Sequence, residues 1–453
     1  MVGTNPARCA FHAVFRLSLI SFVALTLISS PRGPLLVRAV DARLFPVALS
    51  LADARKIAAR RNIDVLTAQS DLEVATGQRQ TAGQWPNPTL GLSSTKYKFG
   101  YGRSNGTALG NNFFNRSYDS IVSLGQLVEL GGKRSIRQQS GDAAIAAARA
   151  RADEVRREVD LSVRKTYITS VLADANRGIL DDSARSLRRE AALASVRFEA
   201  GDISTSDRDQ IEIAAAQLEL SAKSAANLAA AARVQLEVLL GETNPTGRTR
   251  LTDSLERLAG VAPKAALSPE ARPDVIAAGA SLAKAASDVR LERANQFPDP
   301  TFQLQYEREP PDNLQSLGFA ISVPLPLPGY NQGAIRAARA AQTAAAAKLT
   351  QTLTASRGDL VTAGFAYEEA KRRARAYQTR IRPQAERVRE TVSYAYTRGG
   401  ASLLELLAAQ RAANDVRAAE LQATADCATA AAALLASPLT DAKSVAPGKA
   451  GPP

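Results

Sequence analysis

The chain has 453 residues and a formal net charge of +13, and only 5% of its residues are aromatic. Alanine and arginine are abundant, a composition that argues against a string of ordinary aromatic-cored domains and favours helix. Its charges mix in sign at helical spacing, as in Asp153, Glu154, Arg156, Arg157 and Glu158, so the basic balance marks no nucleic-acid face.

Residues 1–42 read as an export signal. Arg8, His12 and Arg16 precede an uncharged apolar run from Leu17 to Ile28, and the small residues Val40 and Ala42 suit peptidase cleavage after Ala42. That run falls short of the roughly 20 apolar residues a spanning helix needs. Cys9 lies ahead of it and cannot become a lipidated N-terminus. With the signal go the only His, His12, and the only Met, Met1. The remainder then lacks imidazole and thioether ligands for a dedicated zinc or copper site, so neither metal nor other cofactor is expected. Most neutral-pH acid–base catalysis is lost too, and the reading is of a non-enzyme. Cys427, left alone, fits a small buried residue of a helix.

After the signal the chain states one plan twice. Gln84-Trp85-Pro86-Asn87-Pro88-Thr89 recurs 212 residues later as Gln296-Phe297-Pro298-Asp299-Pro300-Thr301. The first copy, 43–245, predicts a helix over Ser50–Gln84, a strand pair over Thr89–Phe99 and Tyr118–Leu130, a rod over Ser135–Ala200, and a helix over Ser204–Leu240. After a linker at 246–272, the second copy, 273–437, repeats this order. Its helix is Pro273–Gln296, its strands Thr301–Arg308 and Leu314–Pro324, its rod Gln332–Arg398 and its last helix Ser402–Ser437. A disordered tail is expected over 438–453.

The first rod carries an apolar stripe of Val155, Val159, Val163, Tyr167 and Val171 and has no proline. At 1.5 Å per residue each rod is roughly 100 Å long, and the half-length helices could cover it end to end. Pro383 should kink the second rod locally. The rods end in matching aromatic-x-x-Gly breaks, Phe198 to Gly201 and Tyr396 to Gly399, where glycine permits a tight reversal.

The strands alternate, as in Leu90 and Leu92, in Phe302, Leu304 and Tyr306, or in Leu317, Phe319, Ile321 and Val323. Their lengths suit transmembrane β-structure. Four strands alone would leave open edges in hydrocarbon, so a membrane role requires a barrel shared by several copies. Gly131-Gly132-Lys133-Arg134-Ser135 fails as a phosphate loop, since Leu127 and Arg134 stand where glycine and Ser or Thr are required; it fits a tight turn.

With its duplicated strand-pair and rod plan, the chain from Leu49 to Ser437 resembles the TolC family of outer-membrane factors. Leu124-Gly125-Gln126-Leu127-Val128-Glu129-Leu130-Gly131-Gly132-Lys133-Arg134, and Tyr396-x-x-Gly399 followed by Leu403 to Arg411, resemble its heavy-metal (CzcC-like) branch. The resemblance implies a mainly α fold with a membrane β-barrel: a homotrimer closing one twelve-stranded barrel in outer-membrane lipid, continued by coiled-coil helices as a periplasmic α-barrel. Implied partners are a periplasmic adaptor (membrane fusion protein) and an inner-membrane RND-type pump. The implied function is a passive exit duct for heavy-metal cations, with a duct for drugs or organic toxicants, or a pore-free periplasmic scaffold, as alternatives.

By the same resemblance Arg197, Phe198, Gly201, Tyr396 and Gly399 form adaptor-docking tips, the exposed aromatics offering contact area. Ser206, Asp207 and Glu405 belong to a periplasmic gate. Glu405 would place a carboxylate ring on the axis, and Asp207 would hold neighbouring helices shut. Ala408 stands where many relatives carry Asp, giving one ring fewer.

Overall fold

The computed structural model describes residues 46–95, 119–261, 268–309 and 314–436. The expected signal, the tail and part of the linker lie outside these residues.

Two rods organise the chain. Helix α3, Lys133–Glu199, is unbroken over 67 residues. The second rod runs as α7, Gln332–Ala376, through one wide π turn at Tyr377–Ile381 into α8, Arg382–Thr397. The π turn sits immediately before Pro383. Proline has no N–H to offer the preceding turn and its ring crowds the carbonyl there, so the expected kink takes the form of a widened turn and the rod continues.

Shorter helices line the rods. Helices α1, Leu51–Arg61, and α2, Ile63–Ala82, pack on one half of α3, and α4, Thr205–Leu239, on the other. Helix α6, Pro273–Ala294, and α9, Leu403–Leu435, each touch both rods and so lie between them. The expected helix over Ser50–Gln84 is two because Asn62 interrupts it. Its carboxamide oxygen accepts the N–H groups of Asp64 and Val65 as a cap, while its amide donates to the Leu239 carbonyl at 3.0 Å. Alanines fill the seams, among them Ala147, Ala150 and Ala152 on α3 and Ala423, Ala425, Ala428, Ala431 and Ala432 on α9. Small side chains let long helices approach closely along their whole length. Cys427 is buried among those of α9.

The stretch expected as a linker is ordered where it is described. Strands β1, Ala48–Leu49, and β4, Arg250–Leu251, pair in parallel, and α5, Leu255–Ala259, packs on α9. Tyr167, fully buried at mid-rod, donates its hydroxyl to the Leu49 carbonyl at 2.9 Å and meets the Asp253 carboxylate at 3.1 Å. Burial pushes its pKa up to about 12. Glu237 is also buried but stays an anion: Thr249 Oγ and the N–H groups of Gly247 and Thr246 all donate to it, outweighing desolvation and lowering its pKa.

Strands β2, Thr89–Thr95; β3, Asp119–Leu127; β5, Thr301–Glu309; and β6, Leu314–Ser322, form one antiparallel sheet in the order β2-β3-β5-β6. The two hairpins therefore join through β3 and β5, and β2 and β6 are edges.

Candidate functional site

The register sorts the sheet into two unlike faces. Leu90, Leu124, Leu304 and Phe319 stand in one cross-strand row, and Leu92, Val122, Tyr306 and Leu317 in the next. All eight are exposed. The alternate rows are small or polar: Thr89, Gly125, Gln303 and Ala320, then Gly91, Ser123, Gln305 and Gly318. A soluble sheet hides its apolar face against helices, whereas no helix among the described residues covers these rows. An uncovered apolar face of this extent fits hydrocarbon as solvent. No helix among the described residues is long and apolar enough to cross a membrane.

At the strand-to-rod junction Gly131 and Gly132 both adopt left-handed backbone, φ +69° and +67°, which turns the chain from β3 directly into α3. Lys133, the next residue, is buried. Its Nζ donates to Asp299 Oδ2 at 2.7 Å and to the Phe297 carbonyl at 2.7 Å. Asp299 Oδ1 accepts the Leu130 N–H at 2.8 Å. Arg134 lies 4.8 Å from the centre of the Trp85 ring and donates to the Gly83 carbonyl at 2.6 Å. The glycine-lysine motif is thus one of the places where the two repeats are fastened together. Sequence alone identified it as a turn, but the partners of Lys133 lie more than 160 residues away and could not be named.

The opposite ends of the rods carry two copies of one construction. In the first, the Asp202 N–H reaches the Arg197 carbonyl at 2.8 Å and the Gly201 N–H the Phe198 carbonyl at 3.0 Å. In the second, Gly400 N–H reaches Ala395 at 2.8 Å and Gly399 N–H reaches Tyr396 at 3.1 Å. Each is a Schellman closure with the glycine at positive φ, +80° at Gly201 and +76° at Gly399. Three residues later a serine caps the return helix. Ser204 Oγ accepts the Asp207 N–H at 3.1 Å, and Ser402 Oγ accepts the Glu405 N–H at 3.3 Å. The pattern aromatic-x-x-Gly-x-x-Ser-x-x-acid is therefore a complete helical hairpin in which each named position has a backbone duty. The tips are joined by a shared core of Leu187, Ala191, Ile211, Leu403 and Leu406, with Tyr396 packed against it.

These contacts describe the expected gate residues as well. The Ser402 N–H donates to Glu405 Oε2 at 2.7 Å and the Ser402 hydroxyl follows at 3.1 Å; these two bonds hold the Glu405 carboxyl below its usual range. Ser204 Oγ donates to Asp207 Oδ2 at 2.8 Å, so the described partner of Asp207 lies on its own helix rather than on a neighbouring one. Ser206 accepts from Gln210. Links between helices arise further along the rods. Gln410 on α9 donates to both oxygens of Glu190 on α3, at 2.8 and 2.7 Å, and desolvation raises the Glu190 pKa. Ser183 donates to Asn414 at 2.9 Å, and Arg417 to Glu386 at 2.5 Å.

The tip aromatics are less free than the sequence suggested. Phe198 is half-buried beneath the Arg208 guanidinium at 4.4 Å, and Tyr396 is half-buried with Arg197 at 5.8 Å. Leu193, Val196, Tyr394 and Leu404 are exposed instead. Among the described residues no group of three His, Cys, Asp or Glu could hold a metal.

The comparisons with known proteins agree with this architecture. The model of the family described as outer membrane efflux protein matches residues 54–242 and 266–437. The cobalt-zinc-cadmium resistance protein CzcC of Cupriavidus metallidurans is 26% identical over 366 residues, covering 80% of this chain and 83% of that protein. Among solved structures, CusC superposes with a TM-score of 0.71 at 17% identity, covering 86% of this chain and 92% of that one. The open state of the MtrE outer membrane channel of Neisseria gonorrhoeae gives 0.67 at 20%, covering 85% and 88%. The CmeC outer membrane channel of Campylobacter jejuni gives 0.68 at 16%, covering 85% of each.

Proposed function

The chain belongs to the outer membrane efflux protein family, and from that premise we propose what its duct carries and which residues work it. It is a passive channel of the outer membrane extending into the periplasm, not an enzyme, and channels of this kind serve tripartite systems with a pump and an adaptor. The proposed cargo is heavy-metal cations, and the proposed pump is of the RND type. Support comes from the CzcC relative, whose name gives cobalt, zinc and cadmium, and whose match extends over most of both chains.

The observation that carries the duct is the sheet with one apolar face, one small or polar face and two unpaired edges. Unpaired strand edges are not tolerated in hydrocarbon. Three copies pairing β6 of one protomer with β2 of the next remove every edge and close a barrel lined by the polar rows. The rods then stack side by side as a periplasmic tunnel.

The proposed docking tips for the adaptor are the two hairpins with Arg197, Phe198, Gly201, Tyr396 and Gly399. The glycines fix the tip shape, and exposed Val196, Tyr394 and Leu404 supply apolar contact. Ser206, Asp207 and Glu405 form the proposed periplasmic gate. A Glu405 ring would attract cations at the narrow end while its carboxylate also caps its own helix. With no histidine or methionine and only the buried Cys427 among the described residues, choice of metal falls to the pump.

Deleting the gene and scoring growth on zinc, cobalt, cadmium and copper beside a panel of drugs tests the cargo. Loss of tolerance to at least one of these metals is expected. Unchanged metal tolerance with new drug sensitivity would assign the duct to organic toxicants.

A further inference from the structure

The apolar face of the sheet does not end where the strands end. Carrying the two-residue period onward from β3 leads to Leu130, and from β6 to Val323, Leu325 and Leu327. All four are exposed, Leu325 at 86% and Leu327 at 76%. Against this margin lies a cleft of about 310 Å³ lined by Leu130, Gly131, Phe297, Pro298, Pro300 and Val323.

The cleft is built for hydrocarbon rather than for a polar ligand. Its two prolines carry no N–H. The Leu130 N–H is held by Asp299, the Phe297 carbonyl by Lys133, and the Pro300 carbonyl by the Val128 N–H at 2.9 Å. What faces outward is aliphatic and aromatic, with Phe297 itself 63% exposed. The surface is also continuous with the lipid-facing rows, which the family places in the outer membrane, and it lies at their helical end, the periplasmic side. Hydrocarbon at that depth belongs to the periplasmic leaflet, whose lipid is phospholipid.

We propose that this cleft seats one acyl chain of a periplasmic-leaflet phospholipid in each protomer, drawing hydrocarbon down past the last strand pairing to the proline junction. The seat rests on the membrane placement of the sheet and is independent of the cargo. It fixes the lower boundary of the membrane at Phe297 and Leu327, directly above the turn in which Lys133 fastens the two repeats.

The chain has one tryptophan, Trp85, the counterpart of Phe297 in the first repeat, so a reporter is readily installed. In a Trp85→Phe background, Phe297→Trp is reconstituted into nanodiscs of phosphatidylethanolamine brominated along its acyl chains. The seat predicts loss of at least half the fluorescence, together with protection from aqueous acrylamide. Bright fluorescence quenched by acrylamide would overturn it. Native mass spectrometry of the unmutated assembly should show retained phospholipid, and Val323→Trp, which fills the cleft, should remove one per protomer. Equal lipid counts, or retention of lipopolysaccharide alone, would sink the proposal. So would quenching that appears only after residues 438–453 are deleted, because the chain's own tail would then be the occupant. Failure to reach the outer membrane at all would show in fractionation, and would count against the duct as well as the seat.

Discussion

Lys133 and Asp299 form a 2.7 Å ion pair across the two repeats, with the lysine side chain 7% exposed and the aspartate 18%. The pair sits at the start of the first rod and immediately before the third strand of the sheet, so it sets the angle at which helix leaves barrel. Removing one member of a buried pair strands the other charge. Lys133→Met should therefore cost about 3 kcal/mol per protomer. It should lower the temperature at which the extracted assembly dissociates on a gel, and adding Asp299→Leu should recover much of the loss. A single variant with unchanged thermal behaviour would show that the junction is held by the backbone turn alone.

Adjacent residues of β5 test the two faces. Leu304 lies in an apolar row and Gln303 in a polar one. An arginine on the lipid face of a barrel costs roughly 2–4 kcal/mol near mid-membrane, whereas a lumen-facing one is hydrated. Leu304→Arg should sharply reduce the protein recovered in the outer membrane, and Gln303→Arg should leave it near normal while lowering cation conductance. The opposite ranking would reverse the assignment of inside and outside.

At the tips a Cβ added to Gly201 or Gly399 would meet nothing within 4 Å. Alanine there is thus purely a test of backbone conformation, worth about 1–2 kcal/mol for a left-handed residue. Gly201→Ala and Gly399→Ala should each speed hydrogen exchange across their own hairpin and weaken metal resistance, and Gly→Asn should be milder because Asn tolerates that conformation. Normal resistance in the double alanine variant would separate the tips from adaptor engagement.

Glu405 has a pH signature of known sign. Its carboxyl is held below the ordinary value by the Ser402 N–H, so its capping contribution is present above the ordinary carboxylate pKa and lost as pH falls through the lowered one. Cation preference in planar bilayers should stay flat as pH falls through the ordinary carboxylate range and collapse only below it. Glu405→Gln should abolish the preference at every pH. If the reversal potential is unaffected, the residue is a helix cap and nothing more.

Much of this molecule was legible in its sequence because the relevant signals are local and periodic. The stripe through Val159, Val163, Tyr167 and Val171 marked the buried face of the first rod, and alternation in Phe302, Leu304 and Tyr306 marked one face of a strand. The repeated Trp85 and Phe297 motifs supplied the duplication, and Gly201 and Gly399 the reversals. What stayed hidden depends on groups that only folding brings together. Asn62 breaks a helix because its amide also reaches the carbonyl of Leu239, and the partners of Lys133 come from the other repeat. Resemblance to the family matches the acids at 207 and 405 to the proposed gate, whereas their short-range hydrogen bonds to Ser204 and Ser402 depend on backbone angles that the turn establishes. Periodicity determines which face of an element is apolar. Which surface then covers that face, whether another helix, a sister chain or lipid, is settled by tertiary packing, because hydrophobic burial has no direction of its own.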